Sequence, residues 1–141
     1  MGKRILVIEP SRTVRAIFAL HVQQVGHHVA LFKDYEAALA ALPRLCEQPP
    51  EIAFVAVHAD RSESGQALMR LSVLCPRTRL VMMVTQEDSR RFAVQRLGNA
   101  VLAVPLLKPF HIRDVLALLH TATAATPAET ARDAREREKR T

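Results

Sequence analysis

Apolar runs that do not alternate with polar residues constrain this chain more than any other feature. Four are long: Ile5–Ile8 before Glu9, Ile52–Val57 before His58, Leu80–Val84 before Thr85, and Val101–Leu107 before Lys108. A fifth segment, His27-His28-Val29-Ala30-Leu31-Phe32, reads as a short strand. A strand with one wet face alternates apolar and polar residues, whereas a strand covered on both faces is apolar throughout. Helical segments separate the runs. The first carries Val14, Ile17, Phe18, His21, Val22 and Val25 at helical spacing and stops at Gly26. Strand and helix alternate five times, and parallel strands need such crossovers. The pattern predicts a three-layer α/β sandwich around one five-stranded parallel sheet.

Local signals set the boundaries. Ser11 or Thr13 caps the first helix, and Asp34 caps an Ala-rich second one containing Ala37, Ala38, Leu39, Ala41 and Leu42. Pro49-Pro50 then blocks helix continuation. After a polar loop from His58 to Ser64, a third helix carries Leu68, Leu71 and Leu74 and stops at Cys75-Pro76. The fourth opens at Glu87 or Asp88, offers Phe92, Val94 and Leu97 to the core, and is predicted to end at Gly98. The fifth presents Ile112, Val115, Leu116 and Leu119. Pro105 cannot donate to a ladder, so the last strand is expected at an edge or with a bulge.

With 141 residues, 49% apolar and 24% charged, the chain fits one soluble domain with a real core. No apolar run is long enough to cross a bilayer. Met1-Gly2-Lys3-Arg4 leads straight into the first strand, unlike a signal peptide, so a cytoplasmic location is expected. Cys46 and Cys75 stand at no metal-like spacing and are expected to be reduced and structural. The net charge of +6 suits acidic partners, nucleic acid included. With no Trp and a single Tyr, however, there is little on which bases could stack. Gly2, Gly26, Gly65 and Gly98 are scattered and make no phosphate-cradling loop, which argues against a nucleotide-binding enzyme. Residues 121–141 form a charged tail. Thr126-Pro127-Ala128-Glu129 reads as a capping box, and only alanines interrupt the charges after it, so a solvated helix or disorder is expected.

Three stretches carry a family likeness: Lys3-Arg4-Ile5-Leu6-Val7-Ile8-Glu9-Pro10-Ser11-Arg12-Thr13-Val14-Arg15, Val84-Thr85, and above all Lys108-Pro109-Phe110. Gly26-His27-His28-Val29 and Gly65 add to them by position. Over residues 3–120 the chain resembles the receiver domains of two-component response regulators, the CheY-like family. The resemblance implies a flavodoxin-like fold with strand order 2-1-3-4-5, which puts the fifth strand at an edge. It also implies a phosphorylation pocket: an aspartate nucleophile ending strand 3, an acidic pair after strand 1 for Mg²⁺, a hydroxyl ending strand 4, and a lysine before a proline. Glu9 matches the first acid, Thr85 the hydroxyl, and Lys108-Pro109 the lysine and its proline. Pro10 falls at the second acid and cannot ligate. The nucleophile falls at Val57 counted back from Gly65, or at Ala56 counted forward from Glu51, and neither accepts phosphate. The family's fifth-strand aromatic is also missing, with Ala103, Val104 and Pro105 in its place.

Asp60 is the acid nearest the vacancy and a candidate for a displaced acceptor, and His58 is a second group that phosphate could reach in principle. His58 with Glu9 and Asp60 is a weaker idea for a metal than a plain loop role for the histidine. His27 and His28 are expected on opposite faces of one strand and cannot share an ion. Without phosphate or Mg²⁺, Glu9 and Lys108 are expected to pair with each other. The reading is a stand-alone pseudo-receiver, not an enzyme and without a cofactor. Its partner would be a signalling protein, docked on the fourth helix, fifth strand and fifth helix, or a second copy of the chain. The alternatives are a basic nucleic-acid-associated protein and a small α/β ligand binder or enzyme.

Overall fold

Each of the four apolar runs and the segment after Gly26 supplies a strand. A computed structural model describes residues 2–120, without the side chain of Cys46. In chain order stand β1 (Arg4–Ile8), α1 (Arg12–Gln24), β2 (His28–Phe32), α2 (Tyr35–Glu47), β3 (Ile52–Ala56) and α3 (Ser62–Leu74). There follow β4 (Arg79–Thr85), α4 (Gln86–Ser89), α5 (Phe92–Val101), β5 (Val104–Lys108) and α6 (Ile112–His120). The strands are parallel, in the order β2-β1-β3-β4-β5. Pro105 lies opposite Met82 on the edge strand β5, where its missing donor would have faced no neighbour.

The unalternating runs have the cause that their pattern suggested. Leu6, Ile8, Ala53, Val55, Leu80 and Met82 face α2, α3 and α5, meeting Ala38, Leu42, Leu68, Leu71 and Val94. Ile5, Val7, Ile52, Phe54, Val81 and Met83 face α1 and α6, meeting Phe18, Val22, Val115 and Leu119. Ser11 is the cap of α1: its Oγ accepts from Val14 N at 3.3 Å. Asp34 caps α2 through Ala37 N at 2.8 Å. The second helix runs through Pro43, whose ring sits at an exposed position, and ends before Pro49-Pro50. The buried Thr78 donates to Pro50 O at 2.6 Å, tying the entry of β4 to that of β3. Cys75 is buried. The tail and its capping box lie outside the described residues.

The fourth helical segment departs from expectation. It is split, with Thr85 capping the short α4 and Arg90-Arg91 interrupting before α5. Phe92 opens α5 at 74% exposure and gives nothing to the core, whereas Val94 is buried. Gly98 does not end the helix. A Cβ there would stand 2.6 Å from Met82 Cε, so the glycine lets α5 lie close on β4. The helix ends instead at Leu102, in the left-handed conformation with φ 55° that glycine usually supplies. The strand expected from Val101 therefore begins only at Val104.

Gly26 follows α1 with φ +89°. Gly26→Ala is expected to cost about 1 kcal/mol in chemical denaturation, because a Cβ strains that conformation. An unchanged midpoint would mean that the turn relaxes freely.

His27, just ahead of β2, accepts from Lys3 N through Nδ1 at 2.9 Å. Burial lowers its pKa from 6.5, with help from the nearby positive charges of Lys3 and His120. A depressed folded value means that this stabilisation is intact above 6.5 and is lost as pH falls through the folded value. Thermal melts should therefore show a smaller loss on acidification for His27→Asn, whose Oδ1 keeps the acceptor but does not titrate, than for the wild type. Equal losses would remove His27 from the acid response.

Candidate functional site

Glu9 extends the side of β1 that carries Ile5 and Val7, and Lys108 extends the side of β5 that carries Leu106. Both therefore reach over the α1–α6 side at the carboxyl ends of the strands. The lysine bridges the gap, with Nζ 2.7 Å from Glu9 Oε2, and the two side chains are 20% and 2% exposed. The other carboxylate oxygen, Oε1, accepts from Ser11 N at 3.1 Å. The backbone around Glu9 is held as well: its N donates to Phe32 O at 2.9 Å, and its carbonyl accepts from Arg15 Nη1 at 2.7 Å. Among the described residues, no buried side-chain nitrogen or oxygen lacks a hydrogen-bond partner. The third residue of the Lys108 motif is structural. Phe110 meets Phe18 edge-on with ring centroids 5.7 Å apart, and Phe18 lies 5.0 Å from Phe54. The Lys108–Pro109 peptide bond is cis.

Both positions that match the family's nucleophile are apolar and buried. Val57 is 3% exposed and belongs to the core beneath α2, α3 and α5, while Ala56 is 4% exposed on the opposite face. Val57 N donates to Met83 O at 2.9 Å, so the segment is held against β4. Thr85 lies opposite Lys108 in register, but its hydroxyl accepts from Asp88 N at 3.1 Å as the cap of α4. Among the described residues no hydrogen bond joins it to Glu9 or Lys108. The three-residue pocket of the sequence thus resolves into an ion pair and a separate helix cap.

Asp60 is exposed in the β3–α3 loop, and the His58 amide donates to Ser64 Oγ at 3.2 Å. The structure does not bring Glu9, His58 and Asp60 together as a metal-binding group. Nor does Mg²⁺ fit the site that the family likeness implies. The ion asks for several oxygen ligands. Pro10 and Val57 offer no side-chain oxygen, and both oxygens of Glu9 already have donors, one of them cationic. Sequence reasoning missed two ties. Arg15 also donates to Pro10 O at 2.9 Å, and Asp88 Oδ2 accepts from Ala59 N at 3.4 Å. The second joins the loop after β3 to α4, and no local pattern announces it.

No family model and no curated protein matches the chain. Solved structures do. A CheY-like response regulator receiver domain protein from Methanospirillum hungatei JF-1 superposes over 100% of both chains with TM-score 0.70 at 16% identity. Chemotaxis protein CheY4 of Vibrio cholerae gives TM-score 0.68 at 20% identity, over 84% of this chain and 95% of that one. A response regulator receiver protein from Burkholderia phymatum gives TM-score 0.68 at 19% identity, over 88% and 100%. At such identities the likeness is one of fold, and the chain has the fold of CheY-like receiver domains.

Proposed function

We propose that residues 3–120 form a receiver-like module that works in bacterial two-component-type signalling by docking on another protein, without being phosphorylated. One observation carries this reading: the buried Glu9 carboxylate is neutralised by Lys108 at 2.7 Å, in a site whose nucleophile position holds the buried Val57. The module binds rather than catalyses, and its setting is the cytoplasm. Among the described residues no helix is long and apolar enough to cross a membrane.

The docking face proposed is that of α5, β5 and α6, the fourth and fifth helical segments with the fifth strand. Its support is an edge strand and three large apolar side chains in water: Phe92, Leu102 and Leu107, at 74%, 52% and 46% exposure. A groove of about 470 Å³ runs between Val94, Gly98, Pro105 and Leu107. Arg90, Arg91 and Arg96 are exposed on the same stretch and suit an acidic partner.

A pulldown from the cell's own extract, with and without acetyl phosphate and Mg²⁺, tests the reading. The same partner should be recovered in both conditions. Leu107→Asp should lose it with the melting temperature shifted by no more than about two degrees. Recovery that needs the phosphate donor, or that ignores Leu107→Asp, contradicts the reading. A second copy of this chain as the partner would appear as a dimer in sedimentation that Leu107→Asp dissolves.

The charged tail carries no apolar stripe in its sequence, so the module should fold without it. Deleting residues after Thr123 is expected to move the melting temperature by at most about two degrees. A larger drop would assign the tail a docking role.

A further inference from the structure

We propose that the free edge of β2 pairs with β2 of a second copy of this chain, antiparallel, across a twofold axis at Leu31. The sheet has two edges, β2 and β5. They differ in how they meet water. β5 carries Pro105, which offers no outward donor, and it ends in Lys108. Proline and lysine are two of the devices that keep edge strands from pairing. β2, His28-Val29-Ala30-Leu31-Phe32, has neither, and it contains no acid or arginine.

The pleat decides which of its groups are free. His28 N donates to Lys3 O at 2.9 Å, and Phe32 O accepts from Glu9 N at 2.9 Å, so the even-numbered residues of β2 bond to β1. Backbone groups alternate along a strand, and those of Val29 and Leu31 therefore point away from the sheet. Among the described residues no strand lies beyond β2 to take them. Residues that stand opposite each other in an antiparallel pair can exchange both of their bonds. With Leu31 opposite its own copy, Val29 stands opposite Lys33, and both pairs use groups that face outward.

Side chains select this register and this occupant. Ala30 then meets Phe32, a small residue against a large one, on the face of the sheet that α2 covers. On the same face the exposed His28 stands opposite Asp34, once in each direction. Asp34 spends Oδ1 on Ala37 N, which leaves Oδ2 for the imidazole. The neighbouring register, centred on Ala30, would instead set Lys33 against the basic ring of His27 and gain no such pair. A twofold pairing of this kind closes as a dimer, and Pro105 on the far edge stops it from continuing into a fibre. Two strands of five residues make a small interface, so the dissociation constant should be on the order of 100 μM. The inference is independent of the docking face proposed above, which lies at the opposite edge.

The test is sedimentation equilibrium of the full chain from well below to well above that constant, with amide hydrogen exchange followed by NMR at both extremes. A monomer–dimer equilibrium is expected, and the amides of Val29 and Leu31 should exchange about tenfold more slowly at the higher concentration. His28→Glu, at an exposed position, sets like charges opposite Asp34 and should weaken the dimer about tenfold. Leu31→Pro removes the central donors and should abolish it, without taking a ladder bond from β1. If far-UV circular dichroism shows that Leu31→Pro does not fold, His28→Glu decides alone. Leu107→Asp, on β5, should leave the dimer unchanged. Three results would overturn the proposal: a monomer at every concentration, exchange at Val29 and Leu31 that ignores concentration, or a dimer that Leu107→Asp dissolves and His28→Glu leaves intact.

Discussion

Replacing Lys108 with methionine should destabilise the protein by about 3 kcal/mol, the scale on which breaking one side of a buried ion pair is felt. The carboxylate of Glu9, 2% exposed, would keep only the amide of Ser11 as a donor. Glu9→Gln should cost less, because the ammonium left behind is 20% exposed and water reaches it. The double variant Glu9→Gln/Lys108→Met removes both charges together and should recover much of the loss, as coupled neighbours do. Urea denaturation of the four proteins gives the coupling directly. Suppose instead that both single variants unfold at the wild-type midpoint and lose a partner or ligand. The pair would then be a working binding site, and the structural role given to it here would fall.

Phe18→Ala should cost about 3–5 kcal/mol, a large share of the 5–15 kcal/mol typical of a whole domain. Phe18 is fully buried and touches rings on two other elements, Phe54 of β3 and Phe110 beyond β5. Its loss would leave a cavity under α1 that stiff strands cannot close. Phe18→Leu, which keeps most of the volume, should cost about 1.5 kcal/mol or less. A loss below about 1 kcal/mol for the alanine would mean that α1 is not anchored on the sheet through this residue.

The sheet was legible because its signal is local and repeated. Both faces of β1, β3 and β4 are covered, so Ile5–Ile8, Ile52–Val57 and Leu80–Val84 could not have read as half-wet strands. The missing donor at Pro105 left an edge or a bulge open for β5, and the strand lies at the edge. Ser11 and Asp34 were readable as caps because a capping side chain acts within three residues. The failures came where tertiary contact decides. Gly98 looked like a stop, yet its lack of a Cβ serves the approach of α5 to Met82, and Leu102 takes the left-handed turn without any sequence cue.

The candidate site was half legible. Glu9 and Lys108, ninety-nine positions apart, do pair. Thr85, placed beside them by the family likeness, spends its hydroxyl on Asp88 N. That competition is invisible in the sequence until the break at Arg90-Arg91 is known. The tie from Asp88 to Ala59 is longer-range still.

The most direct measurement is exposure of the full chain to acetyl phosphate, and separately to beryllofluoride, with Mg²⁺, followed by intact-mass spectrometry and amide NMR. With Val57 in the core and Glu9 held by Lys108, no phosphoryl adduct should form, and the amides of Glu9, Thr85 and Lys108 should keep their positions. A stable adduct, or shifts clustered on those three residues, would contradict a phosphorylation-independent module. Loss of such an adduct in Asp60→Asn would identify the acceptor as the loop carboxylate.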